Sequence, residues 1–133
     1  MKLRGRVIRK GYAQGEALVS HQPIGFFGGV DPETGVIVES GHELEGESVS
    51  RRILVFPTGK GSTVGSYTLY RLHRKGLAPA GIINSQSEAV VAVGAIIAEI
   101  PMVDCIDISR LETGDTVSIE DNTVEVTPRG AAR

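Results

Sequence analysis

Ile53-Leu54-Val55-Phe56-Pro57-Thr58-Gly59-Lys60-Gly61-Ser62-Thr63 decides how this chain is read. Four apolar residues form a strand pattern, and Pro57 stops it. A Gly-Lys-Gly turn follows, and a helical pattern opens at Ser62 and Thr63. A strand that turns through glycines into a helix can gather backbone N–H groups around an anion. It also delivers the Ser62 hydroxyl into the same partial positive field. The run is not a nucleotide P-loop: Leu54 stands where that motif needs its first glycine, and Gly61 follows the lysine where it needs Ser or Thr. A plain strand–turn–helix junction with a capping serine is the competing reading of these residues.

Outward from this run the chain reads as α/β. Toward the N-terminus, strands are predicted over 3–9, 16–20, 36–38 and 49–56. Between them lie two loops, 21–35 and 40–46, rich in glycine. Asp31-Pro32-Glu33-Thr34-Gly35 has the composition of a tight turn. Toward the C-terminus, a helix is predicted over 63–75, closed by Gly76. A strand over 80–84 follows, then a helix over 89–98 capped by Ser87-Glu88, then a buried strand over 102–106. Residues 116–120 and 123–127 alternate with period two around Asp121-Asn122, a hairpin signature. The pattern predicts one domain over 1–133, with a frayed tail from Pro128 to Arg133. Its architecture is a small β-barrel or stacked sheets, with a parallel portion covered by two helices. Ligand sites in such folds lie beyond the carboxyl ends of strands, where the Pro57–Ser62 loop falls.

Composition excludes several function classes. Basic and acidic residues are mixed, with a formal net charge of −2, so there is no nucleic-acid footprint. The cluster Arg71-Leu72-His73-Arg74-Lys75 suits the dipole at a helix end. The longest apolar stretch, Ala89 to Ile100, is too short for a membrane span and holds Gly94 and Glu99. A cytoplasmic location is expected. The one cysteine, Cys105, cannot alone hold a zinc ion or an iron–sulfur cluster. Flanked by Asp104 and Ile106 next to Val103, it is expected to be buried.

Two loops look functional. Gly25-Phe26-Phe27-Gly28-Gly29-Val30-Asp31-Pro32 is long and spends two of three phenylalanines; Gly28 and Gly29 permit close backbone approach to a ligand. His42, in Ser40-Gly41-His42-Glu43-Leu44-Glu45-Gly46, is placed to orient a substrate carboxylate or move a proton, unless it is simply solvated. No nucleophile–base pair and no metal-ligand cluster stands out. The chain therefore looks like part of an active site completed by another polypeptide.

Gly28-Gly29-Val30-Asp31-Pro32-Glu33-Thr34-Gly35, then His42 and Gly46, then Pro57-Thr58-Gly59-Lys60-Gly61-Ser62 together resemble the small subunit of the aconitase X family, over nearly the whole chain. The chain departs from that family at Gly25-Phe26-Phe27 and at Thr63-Val64. The resemblance implies a swivelling β/β/α domain. It implies a large subunit carrying a [4Fe-4S] cluster, whose open iron acts as Lewis acid on the leaving hydroxyl. It implies dehydration of (R)-5-phosphomevalonate to trans-anhydromevalonate 5-phosphate in an archaeal mevalonate route to isoprenoids. In that setting Ser62 is the proton acceptor. Lys60, Gly61, Thr63, Gly28, Gly29, Asp31 and His42 are expected around the substrate, and Lys60 either holds a substrate anion or stabilises the Ser62 alkoxide. The alternatives are a related dehydratase acting on cis-3-hydroxyproline, a non-catalytic cap or assembly module, and an independent phosphate-binding domain.

Overall fold

The computed structural model describes residues 1–130. Eight strands form one sheet: β1 (Lys2–Arg4), β2 (Arg6–Arg9), β3 (Tyr12–Val19), β4 (Ile53–Phe56), β5 (Gly81–Asn84), β6 (Met102–Asp104), β7 (Thr116–Glu120) and β8 (Thr123–Thr127). Two helices, α1 (Gly65–Arg74) and α2 (Ala89–Ile97), and a short 3-10 turn at Ile108–Arg110 complete the elements. The strand order is β1-β8-β7-β3-β4-β5-β6-β2. The two outermost strands, β1 and β2, are separated in sequence by Gly5 alone. The chain passes from pairing with β8 to pairing with β6 across that one residue, and the sheet closes on itself. Only glycine fits there: a Cβ would lie 2.1 Å from the Asp104 carbonyl oxygen. The single strand predicted over 3–9 is thus two, each paired on one side, and the one-residue step between them closes the sheet.

Strand β3 joins the two halves of the sheet. Its first five residues pair antiparallel with β7, and Ala17–Val19 pair parallel with β4. Strands β4, β5 and β6 continue in parallel. The mixed sheet with a parallel portion under two helices agrees with the sequence reading. Alternation within β4 and β5 builds two cores. Leu54, Phe56 and Ile82 face Leu69, Leu72, Val91 and Ala95 of the helices. Ile53, Val55 and Ile83 face Val117, Ile119, Val124 and Val126 inside the barrel. Burial on both faces explains why these strands are apolar without a break.

The helices pack closely because glycines stand at their crossing. A Cβ on Gly94 would come within 2.5 Å of the Leu69 side chain and 3.2 Å of the Ser66 Cα. Glu88 caps α2, its carboxylate accepting from the N–H groups of Val90 and Val91 at 2.9 and 2.8 Å. Outward, α2 leaves Val93, Ile96 and Ile97 exposed.

Several boundaries differ from those predicted. β4 starts at Ile53, because Val49, although buried, lies in a turn. Residues 36–38 form isolated bridges, Val30 with Ile37 and Val36 with Ser48, and no full strand. β3 begins at Tyr12, four residues before the predicted start. β6 ends at Asp104, and Cys105 turns outward with φ 61° and is exposed, which corrects its expected burial. The predicted frayed tail is exposed over 128–130; residues 131–133 lie outside the described residues.

Candidate functional site

The Pro57–Thr63 turn leaves the carboxyl end of β4, as the parallel topology requires. Backbone bonds fix its path. The Pro57 carbonyl accepts from Ser85 and Gln86 of the loop after β5. Residues 23–25 run beside the turn: Ile24 N–H donates to the Thr58 carbonyl at 3.2 Å, and Lys60 N–H donates to the Ile24 carbonyl at 3.1 Å. Gly25 lies directly against Lys60, and Gly61 turns the chain with φ 89°.

The helix opens later than the sequence predicts. Its first residue is Gly65, with Val64 before it and no side-chain cap. Ser62 stands one turn upstream. Its Oγ accepts the Val64 N–H at 3.1 Å, and its carbonyl accepts from Gly65 at 2.9 Å. The Gly61, Ser62 and Thr63 N–H groups donate to no acceptor among the described residues. Lys60 to Val64 are all exposed. Three consecutive unspent N–H donors thus stand beside the Ser62 hydroxyl, open to solvent. The Val64 N–H aimed at Oγ favours its anionic form.

The Gly25–Gly29 loop meets this turn. Phe26 anchors it in the core, edge-to-face with Phe56 at a centroid separation of 6.1 Å, and Phe27 is exposed. The Phe27 N–H lies 3.5 Å from where a Gly65 Cβ would stand, so the loop abuts the start of α1. Gly29 is closed in by the loop's own backbone: a Cβ would lie 2.0 Å from the Gly25 carbonyl oxygen. The Lys60 side chain passes over Gly25, and its Nζ reaches Glu39 Oε2 at 2.8 Å. Nothing local in the sequence marks Glu39, because its partner is 21 residues away.

Other predicted site residues have different surroundings. His42 is buried. Its Nδ1 accepts the Leu44 N–H at 3.0 Å, and its Nε2 lies 3.1 Å from the Pro23 carbonyl, to which it donates. Both ring nitrogens are spent on backbone, so the ring ties loop 40–46 to the segment before Gly25. Its burial corrects the solvated reading, and in this structure neither ring nitrogen is free to meet a substrate carboxylate or a proton. Asp31 closes the expected turn, its Oδ1 accepting from Glu33 at 2.8 Å and its carbonyl from Gly35 at 2.8 Å. Gly28 and Asp31 line a recess of ≈ 290 Å³ with Phe27, Thr68 and Arg71, a lining that does not include Lys60–Thr63. The structure thus joins Gly25, Gly29 and Lys60 through contacts, with Ser62 two residues on in the same turn, and places Gly28 and Asp31 on a separate recess.

A second recess, ≈ 390 Å³, lies at the carboxyl ends of β4 and β5, lined by Pro57, Thr58 and Ser85–Glu88. Asp104 holds its far wall. The buried carboxylate accepts from Ser87 Oγ at 2.7 Å and Ser87 N–H at 3.0 Å, and from Arg6 Nε and Nη2 at 3.0 and 2.8 Å. Burial alone would raise its pKa; the Arg6 and Ser87 bonds outweigh burial and hold it well below the ordinary 3.8. A carboxylate depressed in the folded state contributes stability above its unfolded pKa and loses it as pH falls through the folded one. Asp104→Asn is therefore expected to lower the urea midpoint at pH 7, with the gap to wild type narrowing below about pH 4. A gap of constant size down to pH 2.5 would assign the loss to shape alone.

Among the described residues no group of three or more His, Cys, Asp and Glu side chains is placed to hold a metal. Cys105, the one thiol, stands beside Arg6 and Asp104 at the end of β6. The residues present do not fit an iron–sulfur cluster.

A family profile described as the aconitase X swivel domain matches residues 2–127. The chain belongs to the aconitase X swivel-domain family. Among this family's curated proteins, the phosphomevalonate dehydratase small subunit of Thermococcus kodakarensis is 51% identical over 126 residues, covering 95% of each chain. That of Methanosarcina acetivorans is 53% identical, covering 90% of this chain and 85% of the relative. A crystal structure of Thermococcus kodakaraensis aconitase X in its holo-form superposes with a TM-score of 0.94 at 48% identity, covering 96% of this chain and 99% of that one. The swivel-domain fold expected from the sequence is thereby shown.

Proposed function

We propose that this chain is the small subunit of a two-chain hydro-lyase that dehydrates (R)-5-phosphomevalonate to trans-anhydromevalonate 5-phosphate in the cytoplasm. The observation that carries the reading is the near full-length match to small subunits named for that dehydratase. Among the described residues no helix is long and apolar enough to cross a membrane. The large subunit brings the [4Fe-4S] cluster, for which the described residues of this chain offer no ligand set.

This chain supplies the base. Ser62 Oγ takes the proton from the carbon next to the substrate carboxylate. The electrons of that C–H bond become the double bond as the tertiary hydroxyl departs on the partner's side. A serine hydroxyl is by itself far too weak an acid to stand as an alkoxide near neutral pH. The Val64 N–H on Oγ lowers that cost, and the unspent N–H groups of Gly61 to Thr63 add a field of the right sign. In this chain the turn is open to water; closure against the large subunit strengthens every one of these interactions. Lys60 holds a substrate anion. Its ammonium runs over Gly25 to Glu39, toward the glycine loop.

The test is reconstitution. Co-expressed with the large subunit of the same organism, the chain is expected to co-purify with it and convert phosphomevalonate; alone it should show no turnover. Activity of the isolated chain would overturn the two-subunit reading. Turnover of cis-3-hydroxyproline and not of phosphomevalonate would replace the substrate.

A further inference from the structure

The Lys60 ammonium is already partnered before any substrate arrives. Glu39 Oε2 stands 2.8 Å from Nζ, and Oε1 lies over the glycine loop, 3.5 Å from where a Gly29 Cβ would be. The pair links the Lys60 turn to the segment beside Gly29. Its side chains keep 47% and 32% of their exposure, so solvent reaches both. Glu39 comes from the bridged segment beside Gly29, whose carbonyl accepts the Val38 N–H at 2.9 Å. Glu39 is therefore fixed at its backbone, and its carboxylate is held by the exposed Lys60 pair.

We infer that Glu39 is the resting counter-ion of Lys60 and a positioning residue of the anion site, displaced when a substrate anion takes the ammonium. This rests on the reading of Lys60 as a substrate ligand. An exposed ion pair is weak, so a dianionic phosphate outcompetes one carboxylate. Until it does, Glu39 holds the extended Lys60 chain across Gly25 and repels anions that cannot replace it.

The experiment uses the two-subunit enzyme with phosphomevalonate as substrate and inorganic phosphate as competitor. Glu39→Gln keeps an acceptor for Nζ and removes the charge. It is expected to lower KM for substrate, and the inhibition constant for phosphate, by about two- to five-fold, the conversion of one exposed pair. The turnover number should move less than KM, and the gain should shrink at high salt. In a Lys60→Ala background, which itself raises KM, Glu39→Gln should change neither constant further. A KM that stays or rises with Glu39→Gln, while Lys60→Ala raises it, overturns the role of Glu39 and leaves Lys60 as ligand. An equal gain in the Lys60→Ala background also overturns it, since the effect would then be general repulsion. If Lys60→Ala leaves KM unchanged, both the reading of Lys60 and this inference fall.

Discussion

Ser62→Ala is expected to assemble with the large subunit, retain the cluster and lose turnover by about 10²–10⁴-fold, the range for removal of a general base. The structural cost is small by comparison. Ser62 Oγ accepts one hydrogen bond, from the exposed Val64 N–H, and the residue caps no helix in the strict sense. Losing that bond costs about 0.5–1.5 kcal/mol, and water can replace it. A rate loss of 10³-fold corresponds to about 4 kcal/mol of barrier. The two magnitudes do not overlap, so a single variant separates base from cap. Substrate binding should weaken far less than turnover, since Lys60 and the free N–H groups remain. The measurements are single-turnover rate, product-inhibition constant and thermal midpoint of the same complex. A Ser62→Ala complex with a rate near wild type would leave the chain as a structural cap.

That Ser62 stands out from sequence, while its surroundings do not, has a physical cause. The strand, proline stop and glycine turn are local events, written in consecutive residues, and β4 with its turn lies where they place it. The hairpin of β7 and β8 is equally local and has the predicted bounds. Contacts between distant segments are not written this way. Val49 is as buried as the strand it precedes, yet lies in a turn, because apolarity reports burial and not pairing. The break at Gly5 depends on Asp104, nearly a hundred residues away. His42 could be read from sequence as solvated or as a site residue, and it is buried. A glycine-bounded histidine can face solvent or fold inward, and only the Pro23 carbonyl and Leu44 N–H decide it. Glu39 had no signal at all, since a carboxylate in a polar loop is ordinary until Lys60 arrives beside it.

The second large effect is expected at Gly29, and Gly28 is its control. These adjacent glycines look equivalent in sequence and are not. Gly28 has φ 80° with nothing within 4 Å of an added Cβ. Alanine there meets only the left-handed backbone cost, about 1–2 kcal/mol, and no collision. Gly29 has no such dihedral, but its Cβ would lie 2.0 Å from the Gly25 carbonyl oxygen, which is backbone and cannot rotate away. The loop must open by an ångström or more to admit a methyl group. Gly25 would then leave Lys60, and the Ile24 bonds to Thr58 and Lys60 that align the turn would be strained. A displacement of about 1 Å in a positioning element costs on the order of 10²-fold in rate. Gly29→Ala is therefore expected to reduce kcat/KM by about 10²-fold, with a loss of stability of roughly 1–3 kcal/mol from overpacking. Gly28→Ala should lose stability alone, with kcat/KM within a few-fold of wild type. Steady-state kinetics and urea denaturation of the two reconstituted variants distinguish them. Equal activity losses at both positions would mean that the loop touches the substrate through Gly28 as well. Near wild-type activity of Gly29→Ala would separate the glycine loop from the Ser62 turn, and leave the unspent N–H groups of Gly61 to Thr63 as the anion site by themselves.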